Sequence, residues 1–362
     1  MEGIINVGLI GFGTAGRVFH APLISATPGF RLTKIVQRRG DDAARAYPTA
    51  QTVRDASDLF DDQAIGLVVI ATPNASHFAV AEQALLAGKH VVVDKPFTVT
   101  SGDAQRLIDV ARARGRMLSV FQNRRWDADF LTVQRIVKTG LLGRLVGYEA
   151  HFDRFRPQLR QDAWRERDTP GAGILYDLGS HLIDQALCLF GRPSRVYGEL
   201  RRQRESVQAD DYFEVGLGYD EVKVTLTAGM LVREPGPQFI LHGTRGSFLK
   251  QRHEPQETAL KNAVPLDSPD WGRETPEQWG IMNTDLDGLH VRGTIETIPG
   301  CYPRYYRNVY DAIANGAELT VKPEQACDVI RVIELVIASS AQRCALAADF
   351  PMTSSRNPDS PV

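Results

Sequence analysis

The first third of the chain alternates short apolar runs with stretches of helical periodicity. Residues 4–10, 31–36, 67–71, 90–94 and 117–122 are rich in Val, Ile and Leu and read as strands, several apolar on both faces. Between them, residues 76–88 and 102–115 space their apolar positions as helices do, and each ends on a glycine suited to a C-cap. Strands that alternate with helices predict βαβ units and a parallel sheet.

The pattern changes after residue 123. A helix over 128–138 precedes a half-exposed strand within 144–156, and a second helix covers 173–190. Alternating runs at 194–204, 211–219, 222–232, 239–243 and 247–251 then predict an antiparallel meander, one face packed and the other wet or covered by a partner. The polar stretch 252–289, with Trp271 and Trp279, reads as an extended loop, and helices at 305–315 and 323–344 follow. The expected fold class is therefore α/β followed by α+β. An N-terminal Rossmann-type parallel sheet is expected over 1–123, and over 124–351 a C-terminal domain with an open, mainly antiparallel sheet and helices on one face. The tail 352–362, rich in Ser, Pro and Asn, is expected to be disordered.

Composition narrows the function classes. At 362 residues the chain exceeds one comfortable core, so two domains are expected. A net charge of -2 leaves no basic excess for a nucleic-acid partner. Cys188, Cys301, Cys327 and Cys344 lie far apart without metal-ligand spacing, which suits free thiols in a reducing cytoplasm and predicts no metal. No apolar run reaches the length of a membrane span, and the start lacks the basic segment of a signal peptide.

Chemistry enters with Gly11-Phe12-Gly13-Thr14-Ala15-Gly16, which follows the first strand and opens a helix. In that order the glycines permit a tight turn and close backbone approach to a pyrophosphate, whose charge the helix N-terminus favours. Gly11, Gly13, Thr14, Ala15 and Gly16 are thus candidate cofactor contacts; the alternative is a glycine-rich turn with no ligand. The second strand ends in Gln37-Arg38-Arg39, without the carboxylate that would bind a ribose diol. Arg38 and Arg39 suit a 2′-phosphate, so NADP(H) is preferred over NAD(H); the alternative is an exposed basic loop. Thr72, Pro73, Asn74 and His77 follow the third strand at the level of a nicotinamide ribose, although Asn74 also suits a helix N-cap.

Lys95 ends the buried run Val91-Val92-Val93-Asp94, at the strand end where open parallel sheets bind ligands. Asp177 and His181 are four residues apart on a helix and share a face, with Gly179 between them marking a close approach. Alone, such a pair is more often a solvated ion pair than a catalytic one.

Taken together, Gly11–Gly16, residues 71–77, Lys95-Pro96 and the Asp177-x-x-x-His181 helix resemble, in order, the Gfo/Idh/MocA family of oxidoreductases. Asp94 stands where the commonest form has glutamate. The strings Gly16-Arg17-Val18-Phe19-His20-Ala21-Pro22 and Phe121-Gln122-Asn123-Arg124-Arg125-Trp126 look like the branch containing bacterial NADP-dependent scyllo-inositol dehydrogenases. The resemblance implies hydride transfer between a nicotinamide and a CH–OH carbon of a cyclic polyol or sugar. His181 would be the acid or base, Lys95 would hold the reacting oxygen and also touch the cofactor, and Asp177 would contact substrate. Asn123, Arg125, Arg154, Trp164 and Tyr176 are candidate pocket residues; the alternative is that Arg125 and Arg154 pair with nearby carboxylates and Trp164 belongs to the core. The resemblance also implies a homodimer or homotetramer through the C-terminal sheet. Rival readings are a nicotinamide-dependent glycoside hydrolase of the same superfamily and a non-catalytic nucleotide-binding regulator.

Overall fold

In a computed structural model, which describes residues 3–159 and 164–350, the first-third runs pair into a parallel sheet. Its elements are β1 (Ile5–Ile10), α1 (Ala21–Ala26), β2 (Phe30–Val36), α2 (Asp42–Ala46), β3 (Gln51–Val53), α3 (Ser57–Phe60), β4 (Ile65–Ile70), α4 (His77–Leu86), β5 (His90–Asp94), α5 (Ser101–Ala113) and β6 (Leu118–Phe121). The strand order β3-β2-β1-β4-β5-β6 reverses direction between β1 and β4, the switch point at which such sheets bind nucleotides. Leu67, Val68, Val69, Val91, Val92 and Val93 are fully buried, as strands covered on both faces must be.

The second sheet has nine strands. After α6 (Ala128–Thr139) come β7 (Leu145–His151), α7 (Ser180–Phe190), β8 (Arg195–Arg201), β9 (Tyr212–Gly218), β10 (Lys223–Gly229), β11 (Phe239–Gly243) and β12 (Gly246–Lys250). The chain continues through α8 (Pro255–Lys261), β13 (Gly280–Leu286), β14 (Leu289–Ile295), α9 (Pro303–Asn315), α10 (Pro323–Gln342) and β15 (Leu346–Ala347). The order is β14-β13-β12-β11-β7-β10-β9-β8-β15, antiparallel except for the parallel pair β10–β7. The inward row is apolar, with Tyr148, Phe213, Val224, Leu226, Leu241 and Phe248 buried. At Gly198 a Cβ would lie 2.5 Å from Val336 O, so α10 packs directly on β8.

One expectation changes. Residues 252–289 are not a plain loop, because they contain α8 and all of β13, which pairs with β14. The chain contributes three segments to each of two compact units. The dinucleotide unit comprises Met1–Trp126, Pro255–Trp271 and Cys301–Ile330; the other comprises Asp127–Glu254, Gly272–Gly300 and Arg331–Val362. The physical reason is aromatic: Tyr302, Tyr305, Tyr306 and Tyr310 of the α9 region are buried, and Phe30 and Phe121 of the parallel sheet meet Tyr306 edge-on or tilted. The tail expected to be disordered lies outside the described residues.

Candidate active site

The cofactor end of the first unit is built by three glycines with different tasks. Gly11 has φ +99°, and a Cβ there would lie 2.5 Å from Ala71 O. A Cβ on Gly16 would lie 2.0 Å from Gly11 O, so the following helical segment can press onto the turn only without a side chain. Gly13 has open space around its Cβ position, which leaves its backbone accessible to a pyrophosphate. The segment fits a dinucleotide. Residues Ala15–His20 form a widened, π-type turn that leads directly into α1, with Thr14 exposed at its start.

Arg38 and Arg39 are exposed beyond β2. Their loop is braced by a residue that sequence reasoning missed: Arg54 donates to Gln37 O at 2.8 Å and Gly40 O at 2.6 Å, and to Asp41 Oδ1 at 2.6 Å. After β4, Ser76 Oγ donates to Thr72 Oγ1 at 2.8 Å, and Pro73 leads into a short 3₁₀ turn begun by Asn74. Ser76, not Asn74, occupies the N-cap position of α4. His77 is fully buried, its Nδ1 2.9 Å from Pro96 O and its Nε2 2.8 Å from Thr72 O. Burial pushes its pKa down, against the pull of Asp94. His77 thus ties the turn after β4 to the Lys95-Pro96 segment.

Lys95 follows β5, half-buried, and its peptide bond to Pro96 is cis. Asp94 Oδ1 accepts the Lys95 backbone N–H at 2.8 Å. Asn123 and Arg125 lie in a buried 3₁₀ turn after β6. Arg125 Nη1 donates to Thr320 O at 2.8 Å and Gln325 Oε1 at 3.0 Å, which gives it an anchoring role within its own unit.

In the second unit, Asp177 and His181 lie on a helical segment that opens with a π-type turn, Leu175–Gly179, and continues as α7. Widening the turn beyond 3.6 residues brings positions i and i+4 closer to vertical alignment. Gly179 provides the predicted close approach: a Cβ there would lie 2.9 Å from Leu175 Cδ1 and 3.4 Å from Phe213. His181 is 4% exposed and meets Phe152 edge-on at 6.3 Å, whereas Asp177 is half-buried with Arg165 Nε 3.5 Å from its Oδ1.

The start of this segment hangs on Asp210. Its Oδ2 accepts the Leu175 N–H at 2.8 Å, and its backbone O accepts the Ile174 N–H at 3.0 Å. Burial raises the Asp210 pKa to about 6, partly offset by these backbone donors. A cavity of ≈ 90 Å³ is lined by Asp177, Asp210, Arg154, Trp164, Arg165 and Arg204, among others. It therefore brings together Asp177 and two of the expected pocket residues, Arg154 and Trp164. Tyr176 is buried nearby, its pKa raised to about 12 by burial and by the charges of Glu334 and Asp210.

A nucleotide cradle at a sheet switch point, followed in the chain by an open antiparallel sheet, defines a two-domain dinucleotide-dependent oxidoreductase. Family models agree over most of the chain: residues 5–122 match the oxidoreductase family NAD-binding Rossmann fold, and residues 134–346 match the oxidoreductase family C-terminal alpha/beta domain. The chain belongs to the Gfo/Idh/MocA oxidoreductase family. It is 45% identical to the Escherichia coli oxidoreductase YdgJ, covering 96% of this chain and 99% of that one. It is 37% identical to the Bacillus subtilis scyllo-inositol 2-dehydrogenase (NADP(+)) IolW, covering 94% of each. The solved structure of the Bacillus subtilis oxidoreductase YvaA superposes with a TM-score of 0.93 at 36% identity, covering 96% of this chain and 99% of that one.

Proposed function

We propose that this enzyme is an NADP(H)-dependent dehydrogenase that interconverts a secondary alcohol of a cyclic polyol or sugar with its ketone. The observation that carries the reading is the exposed Arg38-Arg39 pair in the braced loop after β2, where an NAD site would put a carboxylate. Likeness to a relative named as an NADP-dependent scyllo-inositol dehydrogenase supports both the cofactor and the substrate class.

The nicotinamide, when bound, supplies the hydride acceptor; the chain supplies orientation and proton handling. The glycine turn holds the pyrophosphate and the two arginines hold the 2′-phosphate. His181 takes the hydroxyl proton as the C–H hydride leaves in oxidation, and returns it in reduction. Lys95 donates a hydrogen bond to the reacting oxygen and stabilises the charge that develops there. Asp177 orients the substrate, with Arg154 and Trp164 lining the same cavity. Asn123, Arg125 and Tyr176 remain candidate contacts to the substrate ring. We assign self-association to the outer sheet face, where Tyr197 and Ile281 are 39% and 41% exposed.

The test is a screen of inositols and aldoses with NADP and NAD in parallel. NADP-linked oxidation of at least one cyclic polyol, abolished in Lys95→Met and His181→Ala, is the expected result. Turnover with NAD far above that with NADP would sink the cofactor assignment.

A further inference from the structure

The short turn Trp164–Glu166 lines, with all three of its residues, the cavity that holds Asp177. Two contacts hold the turn in place. Arg204 Nη1 donates to Glu166 Oε1 at 3.1 Å, and the Gln208 N–H donates to Glu166 O at 3.2 Å. Arg204 is itself fixed: its side chain is 3% exposed, and its Nε donates to Asp211 Oδ2 at 2.9 Å. On this base Arg165 reaches over the ring of Trp164, its guanidinium carbon 4.7 Å from the ring centroid, and sets its Nε 3.5 Å from Asp177 Oδ1. Stacking on an aromatic face leaves a guanidinium few orientations, so its donors are already aimed.

At 3.5 Å the two groups stand side by side, beyond the usual N–H···O range of about 2.7–3.2 Å. An ionised carboxylate only accepts hydrogen bonds, and a guanidinium only donates them, whereas a hydroxyl does both. A fixed acceptor beside a fixed donor therefore complements two neighbouring hydroxyls. One donates to the carboxylate, and the other accepts from the guanidinium. An anion would be repelled by Asp177 and a cation by Arg165, so a neutral pair of hydroxyls suits both halves. The other carboxylates of the cavity are engaged within the fold, Glu166 by Arg204 and Asp210 by the N–H of Leu175. The cavity measures ≈ 90 Å³, well below the roughly 300 Å³ at which pockets for whole small molecules begin, so it takes one edge of a ring.

We propose that Arg165 is a specificity-determining residue that, with Asp177, grips two adjacent hydroxyls of the substrate ring. The inference rests on the polyol dehydrogenase function proposed above and narrows its substrate class to rings that carry an uncharged vicinal diol. Trp164 is the platform on which the guanidinium lies, and Glu166 and Arg204 are positioning residues that hold the platform against Asp177.

The test compares NADP-linked oxidation of scyllo-inositol with that of the cyclohexanetriol whose hydroxyls sit on alternate carbons, a ring of the same size with no adjacent pair. The Arg165 side chain is 50% exposed, so Arg165→Met and Arg165→Lys should fold as the wild type does. The wild type is expected to prefer scyllo-inositol in kcat/KM, and Arg165→Met to cut that preference by roughly tenfold, the low end for a hydrogen bond to a charged group. The loss should appear as a raised KM for scyllo-inositol, with kcat/KM for the triol little changed. Arg165→Lys keeps a donor and loses the planar fork, so it should fall between the two. An unchanged preference in Arg165→Met, or an equal loss for both substrates, overturns the proposal and leaves the dehydrogenase reading standing. Absence of turnover by the wild type with any inositol and with the triol would remove that reading and the proposal with it.

Discussion

Gly173 and Asp210 are packed so closely that a methyl group on Gly173 would lie 1.9 Å from Asp210 Oδ1. Gly173 also has φ +86°, which an L side chain rarely adopts. The contact aims the Asp210 carboxylate at the N–H of Leu175, the residue that opens the segment carrying Asp177 and His181. Gly173→Ala should therefore displace the carboxylate, strain the backbone and uncap the segment. A stability loss of about 2 kcal/mol or more is expected from strain and the lost hydrogen bond together. A larger fall in kcat than in substrate affinity should accompany it. Urea unfolding and steady-state kinetics check this; a variant with unchanged midpoint and kcat would show that the cap is dispensable.

The same carboxyl makes stability depend on pH in an unusual direction. Burial raises its folded pKa from 3.8 to about 6, so the folded state holds the proton more tightly than the unfolded state. The Asp210 contribution is fully present below about pH 4, the unfolded value, and is lost as pH rises through about 6. Two pKa units correspond to about 3 kcal/mol at most. Asp210→Asn cannot titrate, so the stability of the wild type relative to this variant should fall between pH 4 and 7. Denaturation midpoints measured for both proteins across that range test the sign, and a constant difference would refute it.

How much of this could be read from residue order depends on how local the cause is. Central strands such as Val91–Val92–Val93 were legible because burial on both faces leaves an unbroken apolar run. Strand β14 was not, because almost all of it is exposed, so the short alternation Leu289-His290-Val291-Arg292 marks no buried face. A signal was present in Asp287-Gly288, whose φ values of 49° and 84° make the hairpin turn. Gly179 announced a close approach, but its partner Phe213 lies 34 residues away in sequence, on β9. Arg54, Asp210 and Tyr306 escaped for the same reason: each acts through a fold-dependent contact with a residue that sequence spacing does not connect to it.

Lys250 and Glu274 form an ion pair at 3.0 Å with both side chains fully buried. Lys250 Nζ also donates to Gln251 O and Gln278 O, each at 2.9 Å, so all three of its protons have acceptors. The pair joins the end of β12 to the chain just before β13. Lys250→Met would leave the Glu274 carboxylate buried without its partner, a loss of about 3–5 kcal/mol. Lys250→Met combined with Glu274→Leu should recover much of that loss, because the desolvation of both charges disappears as well. Thermal unfolding of the two variants decides; a single variant as stable as the double one would mean that the pair contributes little.

The role proposed for Arg38 and Arg39 in choosing between the two nicotinamide cofactors can be tested without knowing the best substrate. Each is exposed, in a loop whose backbone Arg54 braces through Gln37 O and Gly40 O. Hydrogen bonds to a charged group contribute about 1.5–3 kcal/mol, which corresponds to roughly 10- to 150-fold in affinity. Arg38→Ala/Arg39→Ala should weaken NADPH binding by at least the lower of these factors while changing NADH binding far less. Arg54→Ala, which removes the brace and neither arginine, should produce a smaller shift in the same direction. Fluorescence titration of NADPH and NADH against the three proteins measures this directly. Equal losses for both cofactors in the double variant would place the arginines outside the 2′-phosphate site.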